Sequence, residues 1–351
     1  MAKTVRLADI GERLDVSAVT VSKALSGQKG VSEEMRQKII KVAGELGYLK
    51  RVKEEEKKGG YNIGVIVAER YLHEGESFYW KLYQELSQRA IARDCFMILE
   101  VVLHKDERTG ELPKILQEKK VDGVIIVGAF ITAYSRFLAK NIQIPLLYLD
   151  TPGTVDSCDS VVSNNMMGGY HMTNYLFRKG HKKIGFVGTR LATTSIDDRF
   201  LGYLRSLMEH GVNPREDWII DDRDREYGQV DIKNKFQLPE EMPTAFFCNC
   251  DLSAYVLVRK LNEAGYNVPD DISVAGFDNY VNRMDSYVSE TLESTGLTTY
   301  EINMKEMARR TMHIMIHKLD NSSYTTGMFV LPGKFIERGS VKKIGDEIPF
   351  I

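Results

Sequence analysis

The sequence predicts a small all-α helix-turn-helix headpiece followed by an α/β domain of two doubly wound lobes. Three features predict it: helical periodicity interrupted twice within residues 1–48, a charged connector without apolar periodicity over 49–61, and seven short apolar runs separated by helical stretches over 62–351. With 351 residues, 43% hydrophobic and 27% charged, the chain is long enough for more than one core and is neither disordered nor fibrous in composition.

In the first segment, Leu7, Ile10 and Leu14 recur at helical spacing in LADIGERL, DVS interrupts, and Val21 and Leu25 in AVTVSKAL restart a second short helix. Ser17 stands where an N-cap belongs, its hydroxyl placed to accept from an exposed backbone N–H. A third helix starts after its cap Ser32, runs through Met35, Ile39, Val42, Ala43 and Leu46, and is expected to stop at Gly47. Three helices in this layout form a unit whose second helix can enter a DNA major groove. Charge agrees: residues 1–58 hold 13 Lys+Arg against 9 Asp+Glu, a net of +4, which leaves −6 for the remainder. Basic residues beside phosphates gain Coulomb energy and release counterions.

The connector LKRVKEEEKKGGYN reads as a linker. Beyond it, NIGVIV, CFMILEVV, VDGVIIVG, PLLYLD, KKIGFVG, PTAFFCN and DISVAGFD have the Val-, Ile- and Phe-rich texture of buried parallel strands. Seven such runs exceed one small sheet. Crossovers between two lobes are expected around Asp150 to Asn165, Glu290 to Thr299 and Thr325 to Leu331. Ligands of open parallel sheets bind beyond the carboxyl ends of the strands, so the cleft between the lobes is the expected site.

Other classes fit less well. The start MAKTVRLADIGERL has no apolar stretch of signal-peptide length, and no run approaches the roughly 18 apolar residues of a membrane helix, so a cytoplasmic protein without membrane association is expected. Cys95, Cys158, Cys248 and Cys250 are scattered without metal-type spacing, which disfavours disulfides and zinc; neither metal nor cofactor is expected. A Gly-rich phosphate loop and a G-x-S-x-G elbow are both missing, and His171 and His181 have no catalytic partner in sequence, so the chain is not read as an enzyme.

The run VRLADIGERLDVSAVTVSKALSGQKGVSEEMRQKIIKVAGELGY resembles the DNA-binding headpiece of the lactose/galactose repressor family, with Thr20-Val21-Ser22, Val31-Ser32 and Leu46 to Tyr48 at its landmark positions. The resemblance continues through NNMMGGYHMTNYLFRKGHKKIGFVG, DDRFLGYLRSLMEHG, FFCNCDLSAYVLVRKLNEAGYNVPDDISVAGFDNY and LTTYEINMKEMARR, which is essentially the whole chain. It implies a periplasmic-binding-protein-like effector domain, a homodimer, palindromic operator DNA and a small effector, a carbohydrate or sugar acid before a nucleobase. By position, Ala18, Val19 and Lys23 match the base-reading residues. The first two offer only apolar contact, for instance to thymine methyls, while Lys23 can donate to guanine. Ser17, Thr20, Ser22 and, as a weaker candidate, Arg36 would hold phosphates.

For the effector, the resemblance implies Arg199 as the gripping guanidinium and Asp278 as the hydroxyl-binding carboxylate. Both make strong charge-assisted bonds to hydroxyl or acid groups. Ser77, Tyr79, Asp150 and Ser195 are expected to line the cleft, with Trp80 or Phe78 as the stacking aromatic. Three departures stand out. Cys250 replaces the family's usual Asn before Asp251, which removes an amide from the cleft and points to an altered effector. Asn164 replaces Asp before Asn165, a local capping change. The Pro-Asn and the Leu-bearing hinge helix usual after the headpiece are missing, so operator recognition is expected to rest on major-groove and phosphate contacts without a minor-groove wedge.

Overall fold

A computed structural model of the chain describes residues 6–25, 30–46, 48, 60–72, 77–153, 159–224, 228, 230, 237–280, 296–321 and 327–349. Most of the connector and the expected helix stop Gly47 lie outside the described residues. The chain divides into two compact units, Met1–Gly60 and Tyr61–Ile351.

The first unit holds α1 (Leu7–Leu14), α2 (Ala18–Leu25) and α3 (Glu33–Glu45). Ile10, Val21, Ala24, Ile39 and Ala43 form its buried centre, one stripe from each helix. Asp15, with φ 52°, ends α1 in the left-handed region, and the chain doubles back so that the Val16 N–H donates to Gly11 O at 2.9 Å. Gly11 is what permits this tight turn, because a Cβ there would sit 2.5 Å from Val16 O. Gly11→Ala is therefore expected to destabilise this unit by about 1–3 kcal/mol through overpacking against backbone. Amide hydrogen exchange of the full chain should show faster exchange confined to residues 7–45.

The second unit has two α/β lobes. In the first, six strands lie in the order β11 (Met328–Leu331), β5 (Asp159–Ser163), β4 (Leu146–Leu149), β3 (Gly123–Val127), β1 (Asn62–Ala68) and β2 (Phe96–Val102), all parallel. On β1, Ile63, Val65 and Val67 pack with Phe78, Leu82 and Leu86 of α4 (Phe78–Ile91), whereas Ile66 and Ala68 pack with Tyr134 and Leu138 on the opposite face. Each β1 neighbour is turned to the other face, as the pleat requires. The helices α5 (His104–Thr109), α6 (Lys114–Gln117) and α7 (Thr132–Asn141) follow β2 and β3 in the chain.

In the second lobe the sheet runs β7 (Ile219–Ile220), β6 (Ile184–Val187), β8 (Ala245–Cys248), β9 (Ser273–Ala275), again parallel. Helices α8 (Asn165–Arg178) and α9 (Thr194–Glu209) pack closely together, and α10 (Asp251–Glu263) buries Ala254, Leu257 and Leu261 against Phe246 and Cys248. A parallel bridge from Ala275 to Thr298 places β10 (Thr299–Glu301) beside this sheet, and β12 (Lys334–Ile336) pairs antiparallel with β10. The helix α11 (Met304–Asp320) returns to pack on α4, β4 and β5 of the first lobe.

The chain thus passes between lobes at Ser163–Asn165, Glu301–Met304 and Leu331–Lys334. The first passage falls inside the expected stretch, although that stretch also contains β5. The other two come a few residues later than expected, because Thr299 and Met328–Leu331 are themselves strand. Among the described residues no helix is long and apolar enough to cross a membrane.

Candidate functional site

On the first unit, the outer face of α2 carries the expected DNA-contacting set. Ser17 Oγ accepts from Thr20 N at 3.1 Å and lies 2.9 Å from the Thr20 hydroxyl, so the expected cap forms. Ala18, Val19, Ser22 and Lys23 are exposed together, opposite buried Val21 and Ala24. Val19 is 64% exposed, which removes packing as the reason for an apolar residue there. Arg36 is a correction: its Nη1 donates to Ala24 O at 2.6 Å, closing the end of α2. It is largely buried and pairs with Glu33 at 3.5 Å. An arginine tied to backbone between two helices serves the fold before it serves a phosphate.

In the second unit, the polar groups converge where the strands of both lobes end. Arg199, on α9, is 4% exposed. Its Nε donates to Asn165 Oδ1 at 2.9 Å, its Nη1 to Asn249 O at 2.5 Å, and its Nη2 lies 2.9 Å from Asp278 Oδ1. The guanidinium carbon sits 3.9 Å above the Phe277 ring centroid, a cation–π contact in a dry setting. Asp150 follows β4 from the other lobe, and the Tyr79 hydroxyl donates to its Oδ2 at 2.9 Å. Both carboxylates occupy left-handed backbone, with φ 59° at Asp150 and 96° at Asp278. Non-glycine residues adopt this conformation at a cost, and such strain concentrates at ligand sites.

Among the described residues Asp150 Oδ1 is buried without a hydrogen bond, and Asp278 Oδ1 is held in a buried ion pair by Arg199 Nη2. Burial pushes the Asp150 carboxyl up to about 7, with Arg199 opposing and Asp278 adding to the rise. Asp278 is likewise raised by burial, against the pull of Arg199. A carboxyl with a raised folded-state value binds a proton more readily in the fold than in the unfolded chain. Its stability contribution is therefore complete below the ordinary carboxylate range and declines as pH rises towards about 7. Asp150→Asn is accordingly expected to stabilise the unliganded protein more at pH 8 than at pH 5, as read by urea unfolding at both.

The remaining expected residues divide. Ser195 is buried and lies 2.9 Å from the Thr193 hydroxyl at the start of α9, one turn from Arg199. Ser77 turns its hydroxyl to Tyr71 O at the start of α4. Trp80 is a correction: it is 41% exposed and stacks on Tyr83 at 5.5 Å. Phe78 and Leu82 occupy the inward face of α4, and Trp80 falls on its outward face. Phe78 packs edge-on against Tyr280 at 6.0 Å, and Tyr71 lies 4.5 Å from Tyr79. The lobes are latched by Lys81, which donates to Tyr280 O.

Cys250 is buried beside Ser253 Oγ at 3.2 Å, and burial pushes its thiol up to about 11. The amide lost at position 250 reappears one residue earlier: Asn249 Nδ2 donates to Val187 O and Asp222 Oδ2. Asp251, the first residue of α10, accepts from the Thr299 hydroxyl at 2.6 Å, tying α10 to β10. Asn164 does cap α8, accepting from Met167 N at 3.2 Å.

The sequence reading missed Arg223. Its Nε and Nη2 grip both oxygens of buried Asp222 at 3.0 and 2.9 Å, and Nη2 also reaches Asn249 Oδ1 at 3.1 Å and Cys250 Sγ at 3.9 Å. It was hidden because DDRDRE looks like a solvated charge run, and β7, which delivers it, is two residues long. The sequence reading also passed over His313 and His317, four apart on α11 with rings 6.2 Å from each other. Among the described residues no group of three or more metal-type side chains comes together.

Residues 6–50 match the model of bacterial regulatory proteins, lacI family, and residues 173–341 that of a periplasmic binding protein-like domain. The transcriptional repressor PurR of Vibrio campbellii is 25% identical over 339 residues, covering 96% of this chain and 98% of its own. PurR of Vibrio atlanticus is 26% identical with the same coverage. Among solved structures, a CelR–cellobiose complex superposes with TM-score 0.65 at 19% identity, covering 96% of this chain and all of the other. The lac repressor dimer bound to operator and an anti-inducer superposes with TM-score 0.62 at 21% identity, covering 97% and 100%.

Proposed function

The chain belongs to the LacI family of bacterial regulatory proteins and is a DNA-binding transcriptional regulator, and from that premise we propose that it represses from a palindromic operator as a homodimer, with operator affinity set by a small hydroxylated effector in the cleft between its lobes. The observation that carries the effector reading is the convergence of buried Asp150 from one lobe with the buried Arg199–Asp278 pair from the other, Asp150 Oδ1 having no hydrogen bond among the described residues. An unbonded buried acceptor costs free energy, which a ligand hydroxyl recovers on binding. Aromatic rings of Phe78, Tyr79 and Tyr280 at the same place favour a flat nucleobase as the second reading.

A single headpiece buries too little surface for selective binding, so two are needed. A second copy fits the apolar surface of α4 and β2, where Trp80, Ile91, Phe96 and Val101 are exposed on adjoining elements. Effector binding changes the angle between lobes, and linkage makes DNA and effector alter each other's affinity by one factor.

The test is selection from randomised duplex DNA with the purified full-length protein. The reading expects an enriched palindrome with half-sites about one helical turn apart. Lys23→Ala should weaken binding to it by about 1–3 kcal/mol and relax preference at one base pair per half-site, measured by fluorescence anisotropy. Absence of any enriched sequence would overturn the DNA reading.

A further inference from the structure

The helix α11 buries Thr311, Met312, Ile314 and Met315 against the first lobe. His313 and His317 fall on its outward face, where both are exposed. Residues four apart on a helix stand one above the other, about 5–6 Å between Cβ atoms. The two imidazole rings lie 6.2 Å from each other, at 76°. With Arg93, Ile316 and Asp320 they line a cavity of about 250 Å³. Asp320 accepts from the hydroxyl of Tyr61 at 2.6 Å, so this cavity stands where the chain enters the second unit.

Imidazole is the protein ligand suited to zinc, nickel and copper, and two imidazoles one helical turn apart can grip a single ion. A tetrahedral ion with Zn–N bonds of about 2.0–2.1 Å needs its two nitrogens about 3.3 Å apart. Exposed rings at the observed separation reach that spacing by side-chain rotation alone, with the helix backbone unchanged. Two protein ligands leave the remaining positions to water, as in an open site. Charge on the cavity walls is balanced: Asp320 attracts a cation and Arg93 repels it, and Arg93 is exposed, where solvent and salt screen the repulsion. The expectation that no metal is bound rests on cysteine spacing, and the run HIMIH lies outside that reasoning.

We propose that His313 and His317 form a two-histidine chelate for one divalent transition-metal ion of the zinc, nickel and copper group. The ion closes a ring across one turn near the end of α11 and stiffens the helix that covers β4 and β5. The site is independent of the effector cleft and of the DNA-contacting face of α2.

The experiment is calorimetric titration of the untagged full-length protein with zinc and nickel chlorides, with magnesium chloride as the oxygen-preferring control. It is run on the parent, His313→Gln, His317→Gln and the double variant. Both side chains are exposed, so the variants should keep the parent's urea midpoint. Zinc also takes thiolates, and Cys95, Cys248 and Cys250 are buried, so nickel and the histidine variants separate the two sources. The proposal expects one equivalent of zinc or nickel in the parent, affinity at least tenfold weaker in each single variant, and no binding in the double variant. Amide exchange over residues 313–320 should slow on adding zinc to the parent and stay unchanged in the double variant. A double variant that binds either ion like the parent overturns the proposal. So does a parent that binds neither ion, or one that binds magnesium as tightly as zinc.

Discussion

Replacing Arg199 with methionine is expected to cost about 3–5 kcal/mol of stability, because it strands Asp278 as a buried charge without its partner. The loss is larger than a single ion pair would suggest. The same side chain ties α9 to the start of α8, to the loop after β8 and to the loop holding Phe277 and Asp278. Urea unfolding should show the drop at pH 8, and a smaller one at pH 5, since Asp278, already raised by burial, can then be protonated. Adding Asp278→Leu to Arg199→Met should recover much of the loss, as replacing both members of a buried pair commonly does. A double variant no more stable than Arg199→Met would show that the backbone-directed bonds, and not the charge pair, carry the effect. Effector response is expected to be lost in either variant.

The second large effect comes from two glycines. Gly169 on α8 and Gly202 on α9 lie in each other's way: a Cβ at 202 would sit 2.2 Å from Met166 O and 2.6 Å from Tyr170 N, and one at 169 would sit 2.3 Å from Arg199 O. All three obstacles are backbone atoms, so neither side-chain rotation nor local give can relieve them. Gly202→Val is expected to cost about 3 kcal/mol or more, the upper end of the overpacking range. It should also push α9 away from α8, moving Arg199 out of reach of Asn165. Gly202→Ala should show the same effect to a lesser degree, and both are read by chemical denaturation of the full chain. Wild-type stability in Gly202→Val would mean that the two helices can slide apart without loss.

Much of this was legible in the sequence because the fold declares itself locally. The seven apolar runs correspond to β1, β2, β3, β4, β6, β8 and β9, and all but the part-exposed edge strand β2 are covered on both faces, which leaves no polar alternation to disguise them. Ser32 and Asn164 were readable as caps for the same reason: capping is settled within four residues. What escaped depends on contacts far apart in the chain. The strand β5, DSVVS, is short and polar and is buried only once α11 and β11 arrive from more than a hundred residues away. Arg36 looked like a phosphate ligand until the carbonyl of Ala24 was placed beside it. Trp80 and Phe78 are two residues apart and indistinguishable by composition; only helical phase sends one inward and the other out. Arg223 sits in a run of charges that would be solvated on most surfaces, and only the fold brings it against buried Asp222 and Asn249.

The threefold passage between lobes also bears on how the protein is made. The first sheet begins at residue 62, yet its edge partner for β5 is β11, at Met328–Leu331, and the helix that covers β4 and β5 is Met304–Asp320. A chain emerging from the ribosome N-terminus first must therefore hold the first lobe with one strand edge and one apolar face uncovered while most of the second lobe is synthesised. Neither lobe is complete until the end of the chain is made: β11 closes the first sheet, and β12 with Arg338 and Ser340, bonded to Thr298, then joins the second. Truncation just before Met328 should accordingly leave both lobes unfinished and yield aggregated material.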